Sequence, residues 1–294
     1  MQNKNNKQIT IIIPTFNRAD LVSKTIDSAL AQTIECEIIV CDHGSSDNTP
    51  EVVKSYGNKV TYIRREKDFG PHFCWLEGIL NAKGELIHLH FDDDFMEPTF
   101  IEKTSNLMND DVGVVFTDAC MYNPYTNELF KNSVFNFAKK WGTGIHNSKK
   151  LEKALLKKLM LSPALCLYRK KDFIDAILPG NLHIDFGGNY HGVGVDLLVT
   201  LLACNRYPKF ACVAESLTKF GHHENSITVN ASADFERNNR LNEGYEAFRR
   251  YYKLLKFYQN NWLIRLLCRT RSKHRFSVIY KKFLMLLGLR KKGL

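Results

Sequence analysis

The sequence contains no Cys-x-x-Cys pair. Its eight cysteines are scattered singly, and Cys36, Cys41, Cys74, Cys166 and Cys212 lie in apolar surroundings. That pattern gives little support to a cysteine zinc site and points to reduced, mostly buried thiols in a cytoplasmic protein. No run of about 18 apolar residues occurs, so a spanning helix is not expected. Met1 to Gln8 are polar, so no secretory signal is expected. Internal repeats and low-complexity segments are also missing. Acidic residues are missing from one region: Arg249 to Leu294 hold 14 of the 41 Lys and Arg and no Asp or Glu. The other 248 residues keep 27 basic against 31 acidic side chains, so the formal net charge of +10 comes from the tail. A mildly acidic body argues against a protein that binds nucleic acid along its whole length.

What is present suits one large α/β domain. The chain has 294 residues, 44% of them apolar, enough for a sizeable core. Strand and helix signals alternate through the N-terminal half, the pattern of a parallel sheet. Ile9 to Ile13, Glu37 to Cys41, Val60 to Ile63, Leu86 to Phe91 and Val112 to Phe116 read as strands. Leu21, Val22, Thr25, Ile26, Ala29 and Leu30 share a helical face, Pro50 sits just inside a second helix start, and Phe73 to Ala82 reads as a third helix. Further on, Leu151 to Leu161 and Val195 to Cys204 read as helices, and Ala164 to Tyr168 and Lys209 to Ala214 as strands. Met121 to about Lys150 and Gly180 to Gly194 carry turn formers and read as loops. The chain divides into a body, 1–238, and a basic helical tail, 239–294.

The most informative feature is Asp92-Asp93-Asp94, at the end of the fourth strand. Three adjacent carboxylates repel one another and gain by facing a cation. Mg²⁺ or Mn²⁺ takes oxygen ligands, often one or two carboxylates plus substrate phosphates. Ligands of open α/β sheets bind beyond the carboxyl ends of the strands, where this cluster lies. A solvated acidic turn before a helix is the plain alternative.

Four further segments fall in order: Pro14-Thr15-Phe16-Asn17-Arg18 after strand one, Asp42-His43-Gly44-Ser45-Ser46-Asp47-Asn48-Thr49 after strand two, Gly194-Val195-Asp196 opening a helix, and His222-His223-Glu224-Asn225-Ser226-Ile227-Thr228. Together with the aspartates they resemble the family 2 glycosyltransferases, whose fold is the nucleotide-sugar-binding GT-A fold. The resemblance covers roughly residues 8 to 230. His43 stands where the family's signature has a second Asp, and Val195 where a Glu usually precedes the Asp.

The resemblance implies an inverting transfer of a sugar from a nucleotide-linked donor, UDP-linked by preference, with Mg²⁺ or Mn²⁺ as cofactor. Pro14, Thr15, Asn17, Arg18 and Asp42 would line the donor. A carboxylate at Asp42 can accept from the N3–H of uracil, a donor that cytosine lacks. Asp92 or Asp93 would touch the sugar or ribose, Asp94 would ligate the metal, and His223 would complete that site, with His222 as its neighbour. Asp196 would be the general base, with Asp185 in reserve; capping the helix is its competing role. Asp68, Asp118 and Trp141 are weaker leads. Asp118 reads more readily as a solvated turn residue, and Trp141 equally well as a packing residue.

The tail mixes cationic with aromatic and aliphatic residues, as in Arg249 to Phe257 and Trp262 to Leu267. Basic amphipathic helices of this kind rest on anionic membranes. By analogy with the resembling enzymes, the acceptor would be a bacterial surface polysaccharide or lipid-linked oligosaccharide, and the protein would sit on the inner face of the cell membrane, with no nucleic acid partner. Competing readings are a metal-dependent nucleotidyltransferase, for which the loop after strand one lacks the expected glycines, a non-catalytic binding protein of the same fold, and a nucleic-acid binder acting through the tail.

Overall fold

The computed structural model describes residues 8–67, 70–181, 194–223 and 235–261. Asp68, Asp185, the 182–193 stretch, residues 224–234 and the tail beyond 261 lie outside them. The chain divides into two units, Met1–Phe248 and Arg249–Leu294. The first holds the sheet; the described part of the second is the end of a helix.

The sheet is built on β1 (Ile9–Thr15), which is buried along its whole length. A run of isoleucines suits a central strand covered on both faces, because β-branched side chains pack well on a pleated surface. β2 (Glu37–Asp42) and β4 (Leu86–Leu89) flank β1, and β3 (Thr61–Arg64) lies outside β2, all in parallel. α1 (Val22–Leu30), α2 (Thr49–Lys54) and α3 (Pro71–Asn81) connect these strands. α1 buries Val22, Thr25, Ile26 and Ala29, one face at helical spacing.

Beyond β4 the sheet becomes mixed. β5 (Phe95–Met96), β6 (Val112–Tyr122), β7 (Leu129–Lys131), β8 (Gly144–Asn147), β9 (Cys166–Arg169) and β10 (Lys209–Gly221) complete it. The order is β3-β2-β1-β4-β9-β6-β10-β5, with β7 on β6 and β8 on β10. β9 is antiparallel to both neighbours, and β6 and β10 form a parallel pair. α4 (Phe100–Ser105), α5 (Phe137–Lys140), α6 (Ser148–Leu156), α7 (Lys170–Asn181), α8 (Val195–Arg206) and α9 (Phe235–Asn260) account for the remaining helices.

Several boundaries differ from the pattern in the sequence. β6 and β10 run on to Tyr122 and Gly221, past Phe116 and Ala214. The continuation of β6 contains Thr117 and Asp118, polar residues that break an apolar pattern yet are buried here. β10 carries register shifts near Ser216, so its alternation is interrupted. The Met121 to Lys150 region is a loop only in part, since it contributes β7, α5 and β8.

The chain passes from β1 outward to β2 and β3, then returns to place β4 on the other side of β1. In open α/β sheets the carboxyl ends of the strands beside such a reversal are where a ligand crevice is expected, here beyond β1 and β4.

Candidate active site

The crevice has a rigid rim. Asn17, in a left-handed conformation with φ of 52°, donates its N–H to Ser45 Oγ at 2.9 Å and accepts from Ser46 N at 2.8 Å. Asp47 accepts from Ala19 N and Thr49 N at 3.1 and 3.0 Å, and Thr49 Oγ1 accepts from Arg18 N at 3.0 Å. The loops after β1 and β2 are thus stitched into one unit. Asp47 serves this stitching, and its donors hold its carboxyl below the ordinary range against the opposing effect of burial. Phe16 and His43 stack at 4.8 Å on the outer face of the rim.

Asp42 ends β2, opposite Thr15 of β1 and Arg64 of β3. It is buried, and its Oδ1 accepts from Gly44 N and Ser45 N at 3.1 and 2.8 Å. Oδ2 accepts from Tyr62 Oη at 2.7 Å and faces Arg64 Nε at 3.4 Å. A carboxylate offers about four lone-pair sites, so Asp42 is nearly saturated.

The aspartate turn lies across the crevice from this rim. Asp92 reaches toward β1, accepting from Phe16 N at 3.3 Å with Arg18 Nε at 3.9 Å. Burial, then the charge of Asp93, pushes its carboxyl up to about 7, against the pull of the Thr15 hydroxyl, Arg18 and the Phe16 N–H. Asp94 is buried and accepts from Gly221 N at 3.0 Å. Burial, then Asp93, holds its carboxyl well above the ordinary range. The Thr25 hydroxyl lies 3.0 Å from the carbonyls of both Asp92 and Asp94, so α1 grips the turn from beneath.

Asp93 points toward β10. Its Oδ2 lies 3.2 Å from His223 Nε2, so the end of β10 meets the end of β4 at this pair. Gly221 makes the approach possible, because a Cβ there would stand 2.2 Å from the Asp93 carbonyl oxygen. The carboxylate only accepts, so in the neutral ring Nε2 carries the hydrogen and Nδ1 is bare. That Nδ1 is buried and has no hydrogen-bond partner among the described residues.

Asp196 lies in the first turn of α8. Its Oδ1 accepts from Leu197 N and its Oδ2 from Tyr245 Oη of α9, both at 2.8 Å. Burial raises its carboxyl to about 6, while Tyr245 and the helix-start N–H groups pull the other way. Gly194, with φ of 94°, turns the chain into α8 and leaves room for Phe248, whose ring a Cβ would meet at 2.3 Å.

The profile of the family described as Glycosyl transferase family 2 matches residues 10–176, more than half of the chain. The chain belongs to this family. A glycosyltransferase of Rickettsia typhi, itself uncharacterized, is 40% identical over 109 residues, 37% of this chain and 34% of that protein. The match therefore spans about a third of that relative's length. Among solved structures, S. aureus TarS 1–349 in complex with UDP-GlcNAc aligns with a TM-score of 0.57 at 16% identity, over 74% of this chain and 60% of that one. Glucosyl-3-phosphoglycerate synthase of Mycobacterium tuberculosis, bound to Mn²⁺, UDP-glucose and glycerol 3-phosphate, aligns at 0.53 with 15% identity, over 84% and 80%. These two likenesses establish the GT-A fold.

Among the family 2 site residues expected from the sequence, Thr15, Asn17, Arg18, Asp42, Asp92, Asp93, Asp94 and His223 lie at the carboxyl ends of β1, β2, β4 and β10. The structure pairs His223 with Asp93 rather than with Asp94, which faces the Gly221 N–H. Asp118 is no solvated turn residue: it is buried and accepts from Ala119 N, Ser133 Oγ, Phe135 N and Phe137 N at 2.6 to 3.1 Å. Trp141 packs among Phe116, Phe137 and Phe210. Tyr62, Arg64 and Tyr245 escape a reading by motif, because they enter only as partners of acids on other elements. His88 on β4 and His90 just past it escape it too; His88 bonds Cys166 O at 2.9 Å and His90 at 3.2 Å.

Whether these residues suit a divalent ion can be judged from the donor set. Among the described residues no group of three or more His, Cys, Asp or Glu converges to hold one unaided. Around the family 2 site stand three crowded carboxyls, two of them pushed up by burial and mutual charge, with His223 Nε2 3.2 Å from Asp93. Crowded carboxyls suit a hard cation that draws its other ligands from a diphosphate and water.

Proposed function

We propose that this chain transfers a sugar from a UDP-linked donor to an acceptor hydroxyl with inversion at the anomeric carbon. The observation that carries the reading is the Asp93–His223 pair at 3.2 Å, joining the ends of β4 and β10 beside the β1/β4 crevice. A binding protein that merely kept the fold has no need for the neighbouring carboxyls of Asp92 and Asp94 to be raised by burial.

In this reading Asp42, held by Tyr62 and the Gly44 and Ser45 N–H groups, presents its remaining acceptor capacity to the uracil N3–H. Asn17 and Arg18, fixed by the rim, line the path of the ribose and diphosphate. Asp93 and His223 hold Mg²⁺ or Mn²⁺, with Asp94 behind them fixing the turn. Such an ion offsets the negative charge that develops on the departing diphosphate. Asp92, tied to the Phe16 N–H and close to Arg18, faces the donor sugar.

Asp196 is the base. The acceptor oxygen bonds to the anomeric carbon as the bond to the diphosphate breaks, and the hydroxyl proton passes to Asp196. A carboxyl raised to about 6 is a stronger base than an ordinary one and is still ionised at pH 7. Tyr245 and the Leu197 N–H hold it in place. We assign the acceptor to the bacterial surface polysaccharides or lipid-linked oligosaccharides, and the basic unit from Arg249 to an anionic membrane face. Exposed Leu254 and Phe257 beside Lys253 and Lys256 support that surface role. Among the described residues no helix is long and apolar enough to cross a membrane.

The test is release of free nucleotide from a panel of nucleotide sugars with Mn²⁺, with and without candidate glycan acceptors. UDP sugars should be consumed, and Asp196→Asn should bind donor without turning it over. Failure of every UDP sugar to bind the wild-type protein would sink the proposal.

A further inference from the structure

The hairpin between β6 and β7 carries a residue that the family signatures do not include. Tyr125 sits at its tip, with its ring edge-on to His223 at 5.6 Å and 87°. Its hydroxyl donates to Asp20 Oδ2 at 2.7 Å, just ahead of α1. Lys24 of α1 donates to the carbonyl of Pro124 at 2.8 Å, so a second bond ties the same tip to the same helix. The tip is built to hold its shape. Asn123 Oδ1 accepts from Tyr125 N and Thr126 N at 2.9 and 3.1 Å, and Asn127 takes a left-handed φ of 60°. Its position follows from the sheet, because Tyr122 at the end of β6 pairs with Gly221, the residue before His222 and His223.

His223 needs such a brace. A 3.2 Å contact with Asp93 is the one hydrogen bond its ring makes among the described residues, and Nδ1 has none. One contact at a single ring atom leaves rotation about the side-chain bonds unrestrained. Packing must set the ring plane, and the Tyr125 ring lies against it. Tyr125 is 49% exposed, so the brace stands partly in solvent.

We propose that Tyr125 is a positioning residue for the Asp93–His223 pair, with its ring bracing the imidazole and Asp20 anchoring its hydroxyl. This deepens the donor-site reading and rests on it where the cation is concerned. Partners that orient a metal-binding histidine typically change metal affinity by 10- to 100-fold when removed.

The experiment compares Tyr125→Ala, Tyr125→Phe and Asp20→Ala in the full chain. Calorimetry of Mn²⁺ binding in the presence of UDP should show about a tenfold loss for Tyr125→Ala and about a twofold loss or less for Tyr125→Phe, which keeps the ring. Asp20→Ala should fall between them. UDP binding without Mn²⁺ should change little, which a general loss of structure would not allow. Independently of any ligand, the His223 side-chain ¹⁵N and ¹H resonances should shift in Tyr125→Ala and stay near wild type in Tyr125→Phe. Wild-type Mn²⁺ affinity and an unmoved His223 signal in Tyr125→Ala would overturn the proposal. If the wild-type protein binds neither UDP nor Mn²⁺, the donor-site reading fails, and the His223 resonances still decide whether Tyr125 braces the ring.

Discussion

Asp118 lies within strand β6 and Asp92 in the turn after β4, and the two are treated in opposite ways. Asp118, on β6, receives four donors from the 119–137 segment and fixes where that segment folds back. Asp92 receives one backbone donor at 3.3 Å and a guanidinium at 3.9 Å, too little to offset burial beside two other acids. Asp94 and Asp196 share its condition, each with one or two donors and a carboxyl raised by burial, that of Asp94 well above the ordinary range. Asp42 lies nearer to Asp118, since it both ties the rim together and faces the crevice. A buried carboxylate with a donor on every lone pair acts as a strut. One left short of donors is poised for a proton or a cation that the protein alone does not supply.

The sharpest way to break this contrast is to remove the charge of one acid from each class. Asp196→Asn should lower turnover by about 10²- to 10⁴-fold, the usual contribution of a general base, with donor affinity unchanged. Nucleotide release under saturating donor measures it, and near-normal turnover would put Asp196 among the struts. Asp118→Asn should do the reverse. Its amide group would oppose N–H donors, costing about 3 kcal/mol of stability in urea unfolding. Activity per folded molecule should change little by comparison. Unaltered stability would mean that the four donors around Asp118 are not what orders the segment.

How far this contrast could be read from the residues differs by class. Strands β1, β2 and β4 were legible because parallel strands covered on both faces are written as unbroken apolar runs, as in Ile11 to Ile13. The far ends of β6 and β10 were not, because Asp118 and Ser216 interrupt the pattern and are accommodated by hydrogen bonds from distant chain. β5 and β7 are two and three residues long, too short for any period. The positions of the crowded acids could be marked by motif, since they follow strands and the motif fixes their order. Their donors could not, because Tyr62, Arg64 and Tyr245 come from neighbouring elements and carry no spacing relative to the acids they serve. Asp118 therefore read as a solvated turn residue, when its saturation is the most structural feature of the sheet.

Within the triplet the contrast becomes finer. Asp93 bonds His223 and is partly exposed, whereas Asp94 bonds a backbone N–H and is buried, so Asp93 has the more accessible carboxyl. Asp93→Ala should weaken Mn²⁺-dependent UDP binding by about tenfold or more, and metal-free UDP binding far less. Calorimetry with and without Mn²⁺ separates the two. Equal losses in both would place Asp93 on the nucleotide rather than on the cation.

The smallest effect concerns pH and has a definite sign. Asp196 has its carboxyl raised from the ordinary 3.8 to about 6 by burial, so the folded state binds its proton more tightly than the unfolded chain does. Its contribution is fully present below about pH 4 and is lost as pH rises through about 6. Buried His88, lowered to about 4 by burial, acts the other way over the same range: its neutral form is favoured in the fold, and stability is lost as pH falls below its ordinary value of 6.5. The pH dependence of the wild-type protein alone is therefore a difference of opposed contributions. Asp196→Asn removes only one of them. Relative to wild type, this variant should gain stability between pH 4 and 7 and then level off. A shift of this size corresponds to roughly 3 kcal/mol at full burial, and partial solvation of the carboxyl reduces the expected gain to about 1 kcal/mol. Paired urea titrations at pH 4.5, 6 and 7.5 read it directly. A variant that loses stability relative to wild type over this range would show that Asp196 is satisfied by Tyr245 and Leu197, as Asp118 is by its four donors.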